Sequence, residues 1–262
     1  MKAIILAAGT ASRLRPLTLH TPKCLLKVGE RTLLQRSMDA LIEAGIREFV
    51  IVTGYLHEQI ENFVRETYQN FLPLREGRGG SVCFIHNKDY ETTNNIYSLW
   101  LARPEAEGEG VLLLDSDLLY DAEIVKRVLA DKHENVLTLI RHELGEEEMK
   151  VVMAPDGSIT EISKTCDPAL AAGESLGIER MGKAYTSALY KELDTMMDVE
   201  HLENKFYELA FQRLIAKGQT LTSPSAVDLR FSVLDVTDLF SCELDTVEDF
   251  ENAKQRIPAH LF

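Results

Sequence analysis

Ala3-Ile4-Ile5-Leu6-Ala7-Ala8 is continuously apolar rather than alternating, the pattern of a strand covered on both faces in a parallel sheet, and Gly9 ends it. From Thr32 to Ala44 the apolar positions Leu33, Leu34, Met38, Leu41 and Ile42 fall at helical spacing, with Gly45 placed for a left-handed cap. Phe49-Val50-Ile51-Val52 reads as the next buried strand, His57 to Tyr68 as a helix, and Val82-Cys83-Phe84-Ile85 as a third strand. This β-α-β-α-β rhythm predicts a parallel sheet. A helix over Thr93 to Ala102 precedes a buried strand, Val111-Leu112-Leu113-Leu114, which runs into Asp115-Ser116-Asp117. Acidic residues thus sit at a strand's carboxyl end, where open α/β sheets place ligands.

After a helix from Asp121 to Ala130 and a strand from Val136 to Ile140 the rhythm breaks. Lys150 to Met153 and Ile159 to Ile162 flank the turn Pro155-Asp156-Gly157 and predict an antiparallel hairpin. A strand over Glu174 to Met181 follows, then helices over Gly182 to Met196 and Glu203 to Ala216, the latter with Phe206, Leu209, Ala210 and Leu214 on one face. A strand over Phe231 to Val236 and a helix over Thr246 to Arg256 close the chain. No repeat or linker divides it. The expected fold is α/β, a Rossmann-like α/β/α sandwich with a mostly parallel mixed sheet and an antiparallel elaboration. One domain over residues 1–262 is expected, with a first part to about residue 140, the elaboration to about 230, and a closing segment over 231–262.

The 45% hydrophobic content can fill such a core in 262 residues. A formal charge of -14 opposes the phosphate contacts that drive nucleic-acid binding, so no nucleic-acid partner is expected. A small anionic substrate is compatible with that charge where cations cluster locally. Cys24, Cys83, Cys166 and Cys242 form no CxxC pair, which removes a zinc or redox-dithiol reading. The apolar run from Met1 to Ala8 is too short for a signal peptide or a membrane span, so membrane insertion is not expected and the cytoplasm is.

The cations cluster in Leu6-Ala7-Ala8-Gly9-Thr10-Ala11-Ser12-Arg13-Leu14-Arg15-Pro16-Leu17-Thr18, continued by Thr21-Pro22-Lys23. A small-residue turn after a buried strand lets backbone N–H groups approach a triphosphate. Arg13 brings forked donors and Lys23 a compact charge for the reacting phosphoryl group. Neither a Walker A loop nor a GxGxxG turn fits these residues. The segment resembles the nucleotide-sugar pyrophosphorylase type of nucleotidyltransferase in Ala7, Ala8, Gly9, Arg13, Leu14, Pro16, Leu17, Thr18, Pro22 and Lys23. Thr53-Gly54-Tyr55, Asn94-Asn95-Ile96-Tyr97-Ser98-Leu99 and Glu243-Leu244-Asp245 narrow the likeness to the phosphocholine and 2-aminoethylphosphonate cytidylyltransferase group.

The resemblance implies a Mg2+-dependent transfer of CMP from CTP to a small phosphate- or phosphonate-bearing acceptor. Lys23, Arg13 and Asp117 are the implied catalytic residues. Leu6, Ala8, Gly9, Thr10, Arg13, Lys23, Tyr55, Asn95, Ser98 and Asp115 are expected at the nucleotide. Asp117, Glu243 and Asp245 are expected at the metal, since alternate residues of an extended Glu-x-Asp point the same way. Asp245 fits a helix cap as well, Asn94 or Asn95 can cap rather than bind, and Asp115 can reach ribose, brace its loop or cap. For the acceptor the candidates are Lys150, Glu174, Tyr207 and Glu208: a quaternary ammonium favours aromatic faces and a primary one favours carboxylates. Tyr97 and Trp100 are further aromatic candidates, though aromatics at helical spacing more often belong to the core than to a cage. Enzymes of this kind make a homodimer a reasonable expectation. The acceptor phosphate is already anionic, so no histidine base is required. The rivals are a sugar-1-phosphate nucleotidyltransferase using another NTP, a glycosyltransferase reading Asp115-Ser116-Asp117 as DxD, and a non-catalytic nucleotide sensor.

Overall fold

The computed structural model describes residues 1–71, 79–220 and 229–261. The chain opens with β1 (Lys2–Ala7), a small ladder of β2 (Lys27–Val28) and β3 (Arg31–Thr32), and α1 (Leu33–Glu43). Then come β4 (Glu48–Thr53), α2 (His57–Thr67), β5 (Ser81–His86), α3 (Asn95–Leu101), α4 (Arg103–Ala106), β6 (Val111–Asp115) and β7 (Leu118–Tyr120). The second half holds α5 (Glu123–Ala130), β8 (Val136–Ile140), β9 (Lys150–Met153), β10 (Ile159–Ser163), β11 (Ala171–Met181) and α6 (Lys183–Asp194). It ends with α7 (Glu208–Thr220), β12 (Ser232–Asp235), β13 (Ser241–Glu243) and α8 (Val247–Arg256).

The main sheet runs β10-β9-β11-β6-β1-β4-β5, with β8 paired to β11 and β12 paired to β8. β6, β1, β4 and β5 are mutually parallel, whereas β11 is antiparallel to β6, β8 and β9. The continuous apolar runs now have their cause. Ile4 and Leu6 of β1 pack with Val50 and Val52 of β4 in a cluster that includes α3, α6 and α7. Their alternates, Ala3, Ile5, Phe49 and Ile51, pack on the opposite face against residues of α1, α2 and α5. A strand buried on both faces cannot alternate polar and apolar residues. Among the described residues no helix is long and apolar enough to cross a membrane.

The expected hairpin is present as β9 and β10. Three helices start two or more residues later than expected. The helix expected from Glu203 begins at Glu208, because Asn94 N–H donates to the Glu203 carbonyl and the Tyr207 N–H is taken by Asn95 Oδ1. Those tertiary bonds claim groups that another helical turn would need. α5 begins at Glu123, whose N–H is held by the Asp121 carboxylate, and α3 begins at Asn95 behind an Asn94 cap. β7 and β13 were not expected at all: they form a separate antiparallel pair, with Glu243 opposite Leu118 and Cys242 opposite Leu119.

Candidate active site

A cleft of about 650 Å³ opens beyond the carboxyl ends of β1 and β6. Its floor is assembled from three distant stretches of chain by a small apolar cluster behind it. Leu14 beside Arg13, Leu119 of β7 and Leu244 between Glu243 and Asp245 all pack there with Phe250 of α8. The Leu244 N–H also donates to the Asp117 carbonyl at 3.2 Å. Because side chains alternate along an extended segment, burying Leu244 turns Glu243 and Asp245 together toward the cleft. Each buried leucine is worth about 1.5–3 kcal/mol, ample to hold a few charged neighbours in place.

At this floor the Lys23 ammonium donates to Asp117 Oδ2 and to Asp245 Oδ1, each at 2.8 Å, and Arg13 Nη2 donates to Asp245 Oδ2 at 2.7 Å. Burial alone lowers an ammonium's pKa, but Asp117 and Asp245 outweigh it and raise that of Lys23. Burial pulls Asp245 upward, yet Lys23 and then Arg13 hold its carboxyl below the usual range. Glu243 is exposed as a residue, yet the crowding of its carboxyl by protein atoms and by Asp117 and Asp245 raises its pKa, with Lys23 acting the other way. One oxygen from each of Asp117, Glu243 and Asp245 lies within 4.8 Å of the others. Asp117 Oδ1 is buried without a hydrogen-bond partner. Three hard oxygen donors and an orphaned buried carboxylate oxygen fit a divalent cation of the Mg2+ type.

Asp245 does not cap α8. Thr246 does, accepting from Asp249 N–H while the Asp249 carboxylate holds the Thr246 N–H, a full capping box. Asp115 stands apart from the cation cluster: its Oδ2 accepts from the Tyr207 hydroxyl at 3.0 Å, and the cluster is built on Asp117. The two aspartates of the DxD segment therefore do different things. Gly177 backs Asp115 closely, with a positive φ of 78° and room for no side chain, since a Cβ there would lie 2.7 Å from Asp115 Oδ2.

Leu6, Ala8, Gly9, Arg13, Lys23, Asn95, Ser98, Asp115, Asp117, Glu174, Glu208, Glu243 and Asp245 all line this one cleft. A Cβ at Gly9 would meet no protein atom within 4 Å, so nothing inside the chain demands glycine there. The left-handed residue of the turn is instead Ala11, at φ 47°. Asn95 Oδ1 accepts from Tyr207 N–H, and Ser98 Oγ accepts from Asn87 Nδ2.

Four expected contacts are not among the cleft-lining residues. Lys150 is 1% exposed and its ammonium donates to the carbonyls of Gly145 and Glu148, so it pins the preceding loop and is not free for an acceptor. Tyr207 is fully buried, with its hydroxyl between Asp115 and Glu179, and presents no face to a ligand. The Tyr55 hydroxyl donates to the Leu19 carbonyl while its N–H holds the Ala8 carbonyl, so it braces the turn from outside. Thr10 sits at the turn but off the cleft wall. Tyr97 and Trp100 stack on each other at 5.4 Å, away from the cleft.

Sequence reasoning passed over Asn87, Glu147 and Lys164, which do line the cleft. Asn87 follows β5 directly, and the strand-end rule that drew attention to Asp115 applies to it equally. Lys164 follows the hairpin, and no spacing marks it out.

The family model of the MobA-like NTP transferase domain matches residues 3–186. The chain belongs to this family. It is 38% identical to a choline-phosphate cytidylyltransferase of Streptococcus pneumoniae over 118 residues, 45% of this chain and 46% of that protein. Over nearly the whole of both chains, 96% and 98%, it is 26% identical to the CTP:phosphoglutamine cytidylyltransferase of Campylobacter jejuni. A solved CTP:phosphocholine cytidylyltransferase from Streptococcus pneumoniae superposes with a TM-score of 0.77 at 23% identity, covering 98% of this chain and 99% of that one. These likenesses make the chain a nucleotidyltransferase with a mostly parallel, helix-flanked sheet, and the fold it shares is the one expected from its hydrophobic pattern.

Proposed function

We propose that the chain is a Mg2+-dependent cytidylyltransferase, transferring CMP from CTP to a small acceptor that bears a phosphate or phosphonate. The observation that carries this reading is the meeting of Lys23, Arg13, Asp117, Glu243 and Asp245 on one cleft wall behind the Gly9 turn. CTP as donor is supported by the two relatives named above, both cytidylyltransferases.

The open space at Gly9 suits close approach of phosphate oxygens to backbone N–H groups. Arg13 supplies a forked guanidinium to the departing β- and γ-phosphates. Lys23 neutralises charge that builds on the reacting α-phosphoryl group. With its Oδ1 given to Tyr207, Asn95 offers the cleft amide N–H donors, suited to the acceptor atoms of cytosine or to ribose oxygens. Asp117, Glu243 and Asp245 would hold the cation, which when bound neutralises phosphate charge and orients the triphosphate.

The acceptor's phosphate or phosphonate oxygen attacks the α-phosphorus in line as the bond to pyrophosphate breaks. That oxygen is anionic near neutral pH, and no histidine is among the residues lining the cleft. The four cysteines are free thiols, which suits the cytoplasm. The test is pyrophosphate release across a panel of four NTPs and several phosphorylated acceptors. Release with CTP and an amino-alcohol phosphate or aminophosphonate is expected. A preference for another NTP with a sugar 1-phosphate contradicts the reading.

A further inference from the structure

Beyond the cation cluster the cleft carries a second acidic group, set on the elaborated side of the fold. Glu208, the first residue of α7, lines the cleft yet is 8% exposed, and its Oε2 is buried with no hydrogen-bond partner. Behind it the Tyr207 hydroxyl joins Asp115 Oδ2 at 3.0 Å to Glu179 Oε2 at 3.4 Å, and Ser175 Oγ donates to Glu179 Oε1 at 3.2 Å. Asp115 and Glu179 thus have neighbours that fix them, and Glu208 has an oxygen left over. A buried acceptor without a donor is costly, and it persists where a ligand completes it.

Among the described residues the cation whose charge acts on Glu208 is Lys164, and it is engaged elsewhere. Its Nζ lies 4.7 Å from the Phe206 ring centroid and 3.6 Å from Glu147 Oε2. The same contact decides what kind of cation the cleft favours. A quaternary ammonium has no N–H to give and is held by aromatic faces, whereas a primary ammonium has three donors and seeks carboxylate oxygens. Among the described cleft-lining residues the aromatic ones are Tyr90 and Phe206. Phe206 already has Lys164 over its ring, and Tyr90 packs on Tyr55 with centroids 6.1 Å apart. Among the described lining residues, these two rings, one of them already under a lysine, do not make a cage for a trimethylammonium group.

We infer that Glu208 selects the acceptor, accepting a hydrogen bond from a primary ammonium group on the phosphate- or phosphonate-bearing molecule and so favouring it over its trimethylated counterpart. This rests on the cytidylyl-transfer reading above. Asp115 and Glu179 lie behind Glu208, bridged by the Tyr207 hydroxyl, and burial favours the neutral form of both.

Phosphoethanolamine and phosphocholine differ only in the three N-methyl groups and form the decisive pair. With CTP and Mg2+, the wild type is expected to show a kcat/KM for phosphoethanolamine roughly 10- to 100-fold above that for phosphocholine. In Glu208→Gln the phosphoethanolamine value falls by a similar factor through KM and the phosphocholine value by a clearly smaller one, so that the preference between the two narrows. Continued phosphocholine turnover by the variant also reports that it has folded. A wild type that prefers phosphocholine, or a preference that Glu208→Gln leaves in place, overturns the assignment of Glu208 and leaves cytidylyl transfer standing. No pyrophosphate with either acceptor and any NTP overturns both.

Discussion

Lys23 and Asp245 stand 222 positions apart in the chain, yet the ammonium of one lies 2.8 Å from a carboxylate oxygen of the other. The ion pair is half of a larger arrangement in which Lys23 spans Asp117 and Asp245, the residues that flank the candidate cation position. Lysine and cation would share the same two carboxylates. In the proposed reaction a triphosphate would offer Lys23 and Arg13 new anionic partners and free carboxylate oxygens for the cation.

Asp117→Ala and Asp245→Ala are each expected to lower turnover at least about 100-fold while the protein remains folded, the scale of a lost transition-state contact. Circular dichroism alongside steady-state pyrophosphate release checks this. Near-normal rates in folded variants remove these carboxylates from the chemistry.

Leu244→Ala removes a fully buried side chain from the cluster that turns Glu243 and Asp245 into the cleft. A cost of about 2–5 kcal/mol in denaturant unfolding is expected, with a loss of activity larger than that of an equally destabilising change elsewhere. Activity that merely follows the folded fraction would separate this cluster from the positioning of the acids.

At Gly177 the backbone is left-handed and a Cβ would meet Asp115 Oδ2 at 2.7 Å. Gly177→Ala is expected to cost about 1–2 kcal/mol for the conformation alone, with the clash in addition. Combined with Asp115→Ala the clash disappears, so the double variant is more stable than the sum of the single effects requires. Simple additivity in thermal or denaturant unfolding contradicts the contact.

Burial raises the Glu208 carboxyl from 4.5 to about 7 in the ligand-free fold. Between those values the native state holds a proton that the unfolded chain has released, so the Glu208 contribution to stability falls as pH rises through this window. Glu208→Gln carries no such charge. Relative to wild type it is expected to gain about 1–3 kcal/mol near pH 8 and to lose that advantage below about pH 4, measured by denaturant unfolding without ligands. An advantage independent of pH contradicts the burial of a charge at this position.

Much of the frame was legible because it follows from local rules. A run such as Ile4-Ile5-Leu6 must be covered on both sides, and the structure divides these residues between the two faces of the sheet. The Gly9 to Lys23 segment was readable as far as its place in the fold, since Gly9, Arg13 and Lys23 do line one cleft. What could not be read was pairing over distance. β7 and β13 are three residues each, too short to carry a pattern, and their register is what brings Glu243 to Asp117. Lys150 illustrates a different failure: charge in a loop-rich region suggested a ligand, but the carbonyls of its own loop claimed the ammonium first. Tyr207 likewise has an aromatic's size and a phenol's polarity, and burial beside Asp115 spent both.

The most direct test of a shared triphosphate site is a double-mutant cycle on pyrophosphate release from CTP, using Lys23→Met, Asp245→Ala and the two together. If both residues act on one bound nucleotide, each single variant loses about 100-fold or more and the double loses little beyond the worse single. Losses that multiply, or single variants that turn over normally, show that Lys23 and Asp245 do not serve a common substrate.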